Sequence, residues 1–215
     1  MVPLAWHSAT DSTNKHIDLD PIYWPLPRTT GTSNQKQQKR NLINFRRHSG
    51  NPLLLLLKKF LLSRDETLQI ASVQCMTSIV IHSPVEYAPA LVYADIPEFL
   101  FERLSSTDEI LLWSVYSCLL LLTEERLFFS KCHTIYGIES LVRSMKETLR
   151  LNSTEVQKQG LLLLGEILKR QPSGIKLFMN FSIWHEVIVV LQEAMTSSSL
   201  EVVIEAANAL TFFLR

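Results

Sequence analysis

The sequence predicts an all-α protein, a right-handed α-solenoid of about four helical repeats preceded by a disordered N-terminal head. Three observations predict this class. Apolar residues recur at helical spacing almost without pause from Pro52 onward. Similar segments follow one another at a period of 43 to 46 residues, which is typical of stacked helical repeats. Hydrophobic residues make up 47% of the 215-residue chain and charged residues 20%, which suits a packed core.

Residues 1–51 form the predicted head, which we expect to be disordered or irregular. The first 50 residues hold four of the nine prolines, show no helical period, and carry seven Lys or Arg against three Asp or Glu. The basic run comprises Lys36, Lys39, Arg40, Arg46 and Arg47. It is interpreted either as a solvated tail or as an import signal or a contact for an acidic partner.

Four glutamates mark the period and predict the start of one helix each. They are Glu66, Glu109, Glu155 and Glu201, separated by 43, 46 and 46 residues. A Ser or Asn stands three residues before each glutamate, the spacing of a capping box. The predicted cap residues are therefore Ser63, Ser106, Asn152 and Ser198. The predicted repeats are approximately 52–95, 96–135, 136–180 and 181–215.

A buried stripe is predicted on each of these helices, because small or apolar residues recur four positions apart. A small residue stands five positions after each glutamate, where it lets a neighbouring helix approach closely: Ala71, Ser114, Gly160 and Ala206. Apolar residues follow nine and thirteen positions after it: Cys75, Ile79, Cys118, Leu122, Leu164, Leu168, Leu210 and Leu214.

A second apolar helix is predicted before each marked helix. The four segments are 53–62, 97–104, 138–149 and 184–195. The predicted unit is therefore a helix, a short polar turn and a second helix. A single pair cannot bury its own apolar face, so the pairs must stack.

The marked helices resemble the armadillo family of repeats, and the resemblance covers about residues 52–215. Glu155-Val156-Gln157 matches the opening of the armadillo consensus, and Ala209-Leu210 matches its later Ala-Leu pair. Import receptors of this type carry a tryptophan row and an asparagine row that hold an extended peptide. This chain has neither row at the offsets counted from the glutamates, so that mechanism is not predicted.

At a finer level, residues 124–171 resemble the vertebrate meiosis inhibitor family. The residues that carry this resemblance are Glu125–His133, Tyr136–Arg143 and Lys158–Leu164. The resemblance implies a large armadillo-like factor of meiotic prophase, connected with double-strand break formation and chromosome synapsis in germ cells. It also implies that the chain is a short isoform or part of a longer protein. An apolar last helix without a polar cap fits that expectation.

Motifs for catalysis are absent from the sequence, so we expect no enzymatic activity and no cofactor. Neither a phosphate-binding glycine loop nor a metal-protease or hydrolase motif occurs. Cys132-His133 is interpreted as a helix-end turn, since adjacent helical residues do not face each other. The three cysteines include no CxxC pair, which favours reduced thiols in an intracellular protein.

Six residues are the candidate partner-binding residues, because they stand at the ligand-facing offsets of armadillo repeats. They are Tyr116, Leu120, Leu162, Glu166, Asn208 and Phe212. The alternative is that the array packs these positions against itself. The expected partners are proteins, and the resemblance implies proteins of the meiotic recombination machinery or the chromosome axis. Small molecules and membranes are not expected, and the net negative charge of residues 51–215 disfavours direct nucleic-acid binding. A nuclear location is suspected, and a general cytoplasmic adaptor or an inactive isoform is the alternative.

Overall fold

The computed structural model describes residues 51–132, 138–172 and 180–214, and in these ranges all regular elements are helices. The predicted disorder of the head and its basic run lie outside the described residues. In chain order the helices are α1 (Pro52–Leu61), α2 (Glu66–His82), α3 (Pro84–Tyr93), α4 (Ile96–Arg103), α5 (Glu109–Leu122), α6 (Arg126–Lys131), α7 (Glu139–Thr148), α8 (Thr154–Arg170), α9 (Phe181–Met195) and α10 (Leu200–Phe213). The predicted all-α solenoid is confirmed.

The marked helices α2, α5, α8 and α10 begin where the glutamates predict, but their caps differ from the prediction. Asp65 and Asp108 cap α2 and α5, and their carboxylates accept hydrogen bonds from Thr67 N and Leu111 N at 2.9 and 2.8 Å. The N-cap residues of α8 and α10 are Ser153 and Ser199. The capping boxes predicted at Ser63, Ser106, Asn152 and Ser198 are therefore wrong.

Two of the serines that were predicted as caps, Ser63 and Ser106, stabilise the turn that precedes the helix. Ser63 Oγ and Ser106 Oγ accept hydrogen bonds from the backbone N–H groups of Asp65 and Asp108, at 3.1 and 3.0 Å. Carboxylates and short hydroxyls compete for the same free N–H groups at a helix start. The aspartate lies nearer to these groups in α2 and α5, and the serine is left to order the cap residue itself.

The helices that precede the marked ones, α1, α4, α7 and α9, match the predicted apolar segments. The predicted two-helix unit is nevertheless incomplete. Two short helices, α3 and α6, precede α4 and α7, so these units contain three helices. Helix α3 begins with Pro84 at its first turn and contains Pro89. Pro84 costs no hydrogen bond there, because the N–H groups of a first turn have no partner within the helix.

The predicted buried stripe holds in the two central marked helices. Ser114, Cys118 and Leu122 of α5 are buried, as are the equivalent residues of α8. At both ends of the array it is wrong in part: Ala71 is exposed and Leu214 is 72% exposed. Helices α2 and α10 each pack against one described marked helix instead of two, so part of their stripe has no neighbour.

Two lysines hold the corner between α3 and α4. Asp95 lies there in the left-handed region, with a φ of 59°. Lys58 of α1 donates a hydrogen bond to the carbonyl of Ala94 at 3.1 Å, and Lys131 of α6 donates to the carbonyl of Val92 at 3.0 Å. Lys131 also pairs with the Asp95 carboxylate. Cations thus satisfy the free carbonyls at the end of α3, where the helix dipole favours positive charge.

Buried glutamines connect two of the marked helices to the turns that precede them. Gln69 Nε2 donates to the carbonyl of Ser63 at 2.6 Å, and Gln157 Nε2 donates to the carbonyls of Leu149 and Leu151 at 3.2 and 2.7 Å. Each glutamine stands four residues after its cap residue.

The helices of the described part of the chain include none that is long and apolar enough to cross a bilayer.

Candidate partner-binding face

Helices α2, α5, α8 and α10 pack side by side in that order. We count positions on them from the observed cap residues Asp65, Asp108, Ser153 and Ser199. The residues seven positions after the cap, Ser72, Val115, Gly160 and Ala206, are all buried. Residues five, nine and thirteen positions after the cap are all exposed or half-buried. This outward surface is the candidate face, formed by Ile70, Gln74, Ser78, Trp113, Ser117, Leu121, Lys158, Leu162, Glu166, Ile204, Asn208 and Phe212.

Tyr116 does not belong to this face, and its predicted role as a partner-binding residue is wrong. Its side chain is fully buried, and its hydroxyl lies 2.6 Å from Ser144 Oγ and 2.9 Å from Thr148 Oγ1. Burial raises the pKa of Tyr116, and the hydrogen bonds from the two hydroxyls oppose that rise. The side chain joins α5 to α7 inside the core and offers nothing to a partner.

The misplacement of Tyr116 follows from a change of register between the two halves of the array. Glu66 and Glu109 are the first residues of their helices, whereas Glu155 and Glu201 are the second. A shift of one residue turns a side chain by about 100° around a helix with 3.6 residues per turn. The same offset of seven residues from a glutamate therefore reaches the inward side of α5 at Tyr116 but the outward side of α8 at Leu162.

Leu120 and Leu162 are half-buried apolar residues at the middle of the array. Leu162 lies in the row nine positions after the cap, where the other members are polar: Gln74, Ser117 and Asn208. Leu120 precedes Leu121, a member of the row thirteen positions after the cap, and packs partly against the core. Leu162 therefore belongs to the candidate face and Leu120 lies beside it, while the role of both in binding stays a prediction.

Glu166 lies within a network of ion pairs that joins α8 to the turn after α5. Lys169 Nζ donates to Glu166 at 2.8 Å, and Arg170 donates to Glu166 and also to Glu124 in that turn at 3.2 Å. Burial raises the pKa of the Glu166 carboxyl, but the hydrogen bonds from Arg170 and Lys169 outweigh this and hold the pKa below its usual range. The network fixes a charged, ordered edge on the candidate face.

Asn208 and Phe212 form the part of the face that lies on α10. Asn208 is exposed, and its amide donates to Glu205 at 3.3 Å. Phe212 is half-buried, and the ammonium of Lys169 lies 5.7 Å from its ring centroid. Helices α8 and α10 are also joined by an ion pair between Lys158 Nζ and Glu201 Oε2, which lie 2.7 Å apart. The hydrogen bond to Glu201 raises the pKa of Lys158. Interactions between α8 and α10 thus order the side chains of this region.

Trp113, Ser117 and Lys158 are candidate residues that sequence reasoning missed. Each belongs to the candidate face once positions are counted from the cap. Residue preference at the cap does not decide this register, because Asp and Ser are about equally favourable N-cap residues. Ser117 Oγ donates to the carbonyl of Trp113 at 2.8 Å, so its hydroxyl is already occupied within the helix.

The residues considered for chemistry are not gathered into a site. Burial raises the pKa of the Cys132 and Cys118 thiols to about 12, so both stay protonated near neutral pH. His133 lies outside the described residues. Across residues 51–132, 138–172 and 180–214, the His, Cys, Asp and Glu side chains form no group of three that could hold a metal ion.

The sequence of the chain matches one protein family over most of its length. The family described as the Meiosis inhibitor protein 1 N-terminal domain matches residues 28–215. The chain belongs to this family. It is 56% identical over 173 residues to the human protein named Meiosis inhibitor protein 1, and 56% identical over 163 residues to the mouse protein of that name. These alignments cover 80% and 76% of the chain, but only 14% and 13% of the two relatives, so the chain spans about a seventh of their length.

Solved structures of low sequence identity share the fold. An engineered protein superposes with a TM-score of 0.62 at 24% identity, over 86% of this chain and 46% of the engineered one. A computationally designed armadillo repeat protein for modular peptide recognition superposes with a TM-score of 0.54 at 17% identity, over 83% of this chain and 76% of its own. The expected armadillo-like architecture is thereby confirmed.

Proposed function

We propose that this chain is a non-enzymatic scaffold that binds proteins of meiotic double-strand break formation and chromosome synapsis in germ cells. Its membership of the meiosis inhibitor family supports the meiotic setting. Its armadillo-like architecture supports protein binding, because stacked repeats present an extended surface that grows with each unit. We propose that the chain acts in the nucleus, where those partners act.

The observation that carries this proposal is the candidate face itself. Three rows of side chains stay outward on four successive helices, whereas the position seven residues after the cap is buried on all four. Among its apolar members, Leu162 and Phe212 are half-buried, and Phe212 packs against the core with the Lys169 ammonium 5.7 Å from its ring centroid. Side chains that are ordered before binding lose little conformational entropy when a partner arrives.

Affinity capture from germ-cell extract, read by mass spectrometry, tests the proposal. The bait is the full chain, compared with a Leu162→Ala/Phe212→Ala variant of it. The matched control is Val189→Ala/Met195→Ala, since these two residues are apolar and exposed but lie on α9. We expect axis or break-forming proteins to be captured by the full chain and by the control, and to be lost with the test variant.

Two results would contradict the proposal. Capture of the same proteins by all three baits would remove the candidate face from the binding reaction. Capture of cytoplasmic proteins alone would favour a general adaptor without a meiotic role.

Imaging of the tagged chain in spermatocytes tests the nuclear location. The same imaging with Lys39→Ala, Arg40→Ala, Arg46→Ala and Arg47→Ala combined tests whether the basic run is needed for it.

A further inference from the structure

The two halves of the candidate face differ in charge. Helices α2 and α5 contain neither lysine nor arginine. Helix α8 contributes Lys158, Lys169 and Arg170, and each of these is paired with Glu166 of α8, Glu201 of α10 or Glu124, which follows α5. The cations of α8 are therefore all paired within the chain, whereas the only basic residue on α2 and α5 is His82 in the last turn of α2.

The apolar side chains of the α2–α5 half lie along one outward strip of α5 and on the facing side of α2. Ile110 is 53% exposed, and Trp113, Leu120 and Leu121 are half-buried on the same side of α5. Ile70 of α2 is half-buried at the position that corresponds to Trp113. The indole of Trp113 is the largest of these groups and gives both an apolar surface and an aromatic face for a cation.

Carboxylates stand at both ends of this strip. Glu66 and Glu109 are exposed first residues of α2 and α5, and the described residues contain no cation paired with either of them. At the opposite end Glu124 is exposed and shares Arg170 with Glu166. Glu109 and Glu124 are fifteen residues apart, which corresponds to about 22 Å along a helix or about seven residues of extended chain.

We propose that the α2–α5 half of the candidate face binds a segment of a protein partner in which apolar side chains lie between two groups of Lys or Arg. Trp113, Leu120 and Leu121 take the apolar side chains of the segment. Glu66 and Glu109 take the cations at one end, and Glu124 takes those at the other. This inference rests on the proposed function only in its use of the same face, and it adds the chemistry of the partner.

Charge complementarity selects this occupant over others. A nucleic-acid strand would bring phosphates next to Glu66 and Glu109, where repulsion opposes binding and nothing on α2 or α5 neutralises them. An acidic peptide meets the same repulsion. A purely apolar segment would leave both carboxylate ends without partners, whereas the basic groups of the proposed segment add attraction and fix its register.

A synthetic peptide of the proposed chemistry provides the direct test. The probe is a fluorescein-labelled nonapeptide with three leucines alternating with two serines, flanked by two lysines on each side. Its binding to the full chain is measured by fluorescence anisotropy at low and moderate salt. We expect saturable binding that weakens as salt screens the carboxylates. Two control peptides, with glutamates in place of the lysines and with serines in place of the leucines, are expected not to bind.

A pair of protein variants locates the site. In Glu66→Gln/Glu109→Gln we expect the affinity for the probe to fall about tenfold, since an exposed charge pair contributes about threefold. The matched control is Glu139→Gln/Glu193→Gln, because Glu139 is likewise an exposed first residue of a helix, but of α7, and Glu193 is exposed on α9. The control is expected to bind as the unaltered chain does. Trp113→Leu tests the apolar strip in the same assay, with a melting curve for each variant.

The outcomes separate the inference from the proposed function. Equal affinity of the two glutamine variants would overturn the inference, as would tight binding of the glutamate peptide or of a single-stranded oligonucleotide. The Leu162→Ala/Phe212→Ala variant is expected to retain probe binding, because both residues lie in the other half of the face. Retained probe binding without capture of meiotic proteins would refute the proposed function and leave the inference standing.

Discussion

Gly160 and Gly165 lie on the same helix, α8, and the same substitution should have opposite effects on them. A Cβ at Gly160 would lie 2.3 Å from Met145 Sδ and 3.1 Å from Tyr116 Cε2. A Cβ at Gly165 would meet its nearest atom, the Cβ of Ala209, at 3.6 Å, which is ordinary van der Waals contact. Both positions are buried within α8, so they differ mainly in the space that is available.

The two effects can be estimated separately. Replacing Gly by Ala inside a helix favours folding by about 0.5–1 kcal/mol at either position. At Gly160 the new methyl must displace Met145, which is fully buried, toward a Tyr116 ring that is held by two hydrogen bonds. Such overpacking costs about 1–3 kcal/mol. We expect Gly165→Ala to stabilise the chain, and Gly160→Ala to be less stable than Gly165→Ala by about 1–3 kcal/mol.

Urea denaturation followed by circular dichroism at 222 nm measures both variants against the unaltered chain. The difference between them isolates the overpacking cost, because the helix-propensity gain is common to both. Combining Gly160→Ala with Met145→Ala should be less destabilising than the sum of the single changes, since the clash disappears with the thioether. Equal stability of the two alanine variants would refute the packing of α5, α7 and α8 described above. Gly160→Leu should be at least as destabilising as Gly160→Ala.

Three further predictions concern buried and paired groups. Tyr116→Phe should lower the free energy of unfolding by about 1–2 kcal/mol in urea denaturation, because it leaves the hydroxyls of Ser144 and Thr148 without their shared partner; an unchanged value would contradict the buried network. Cys75, which is half-buried, should react with a maleimide in the native chain, while Cys118 and Cys132 should react only after unfolding, because their thiols are buried and have pKa values raised to about 12. Mass spectrometry after brief labelling counts the modified thiols, and rapid native labelling of Cys118 would contradict its burial. The pKa of Glu166 is lowered in the folded chain, so its stabilising contribution is present above the usual carboxyl pKa of about 4.3 and is lost as the pH falls through the folded value. Glu166→Gln should therefore lose less stability than the unaltered chain between neutral and acid pH, and parallel pH profiles would contradict the ion-pair network.

The repeat period and the helix positions could be predicted from the sequence, because both depend on patterns that are local along the chain. The starts of α2, α5, α8 and α10 lie within one residue of the glutamates, and the apolar runs locate α1, α4 and α7 to within one residue. Helices α3 and α6 were missed for different reasons. Helix α3 contains Pro89, and α6 has only six residues, which is too short for a helical period to show.

The outward residues could be predicted only in part, because a face depends on the register within each helix. The choice between Asp65 and Ser63 as the cap depends on which oxygen reaches the free N–H groups, and the glutamates gave no information on that choice. The resulting shift of one residue in α5 selected Tyr116 in place of Ser117 and Leu120 in place of Leu121. Trp113 and Lys158 were missed for another reason, because the row five positions after the cap is not one of the two armadillo offsets. The charges of Glu124, Arg170 and Glu201 could not be assigned to ion pairs either, since their partners are about one repeat away in sequence.

The ion pairs between repeats explain how the array can keep a polar surface without losing its order. Two marked helices pack closely where Gly165 of α8 faces Ala209 of α10. Arg170 also joins α8 to Glu124, which follows α5, and Lys158 joins α8 to Glu201 of α10. Exposed pairs of this kind contribute little to stability, about 0–1 kcal/mol each. Their main effect is to pair the cations of α8 within the chain, whereas Glu66 of α2 and Glu109 of α5 have no paired cation among the described residues.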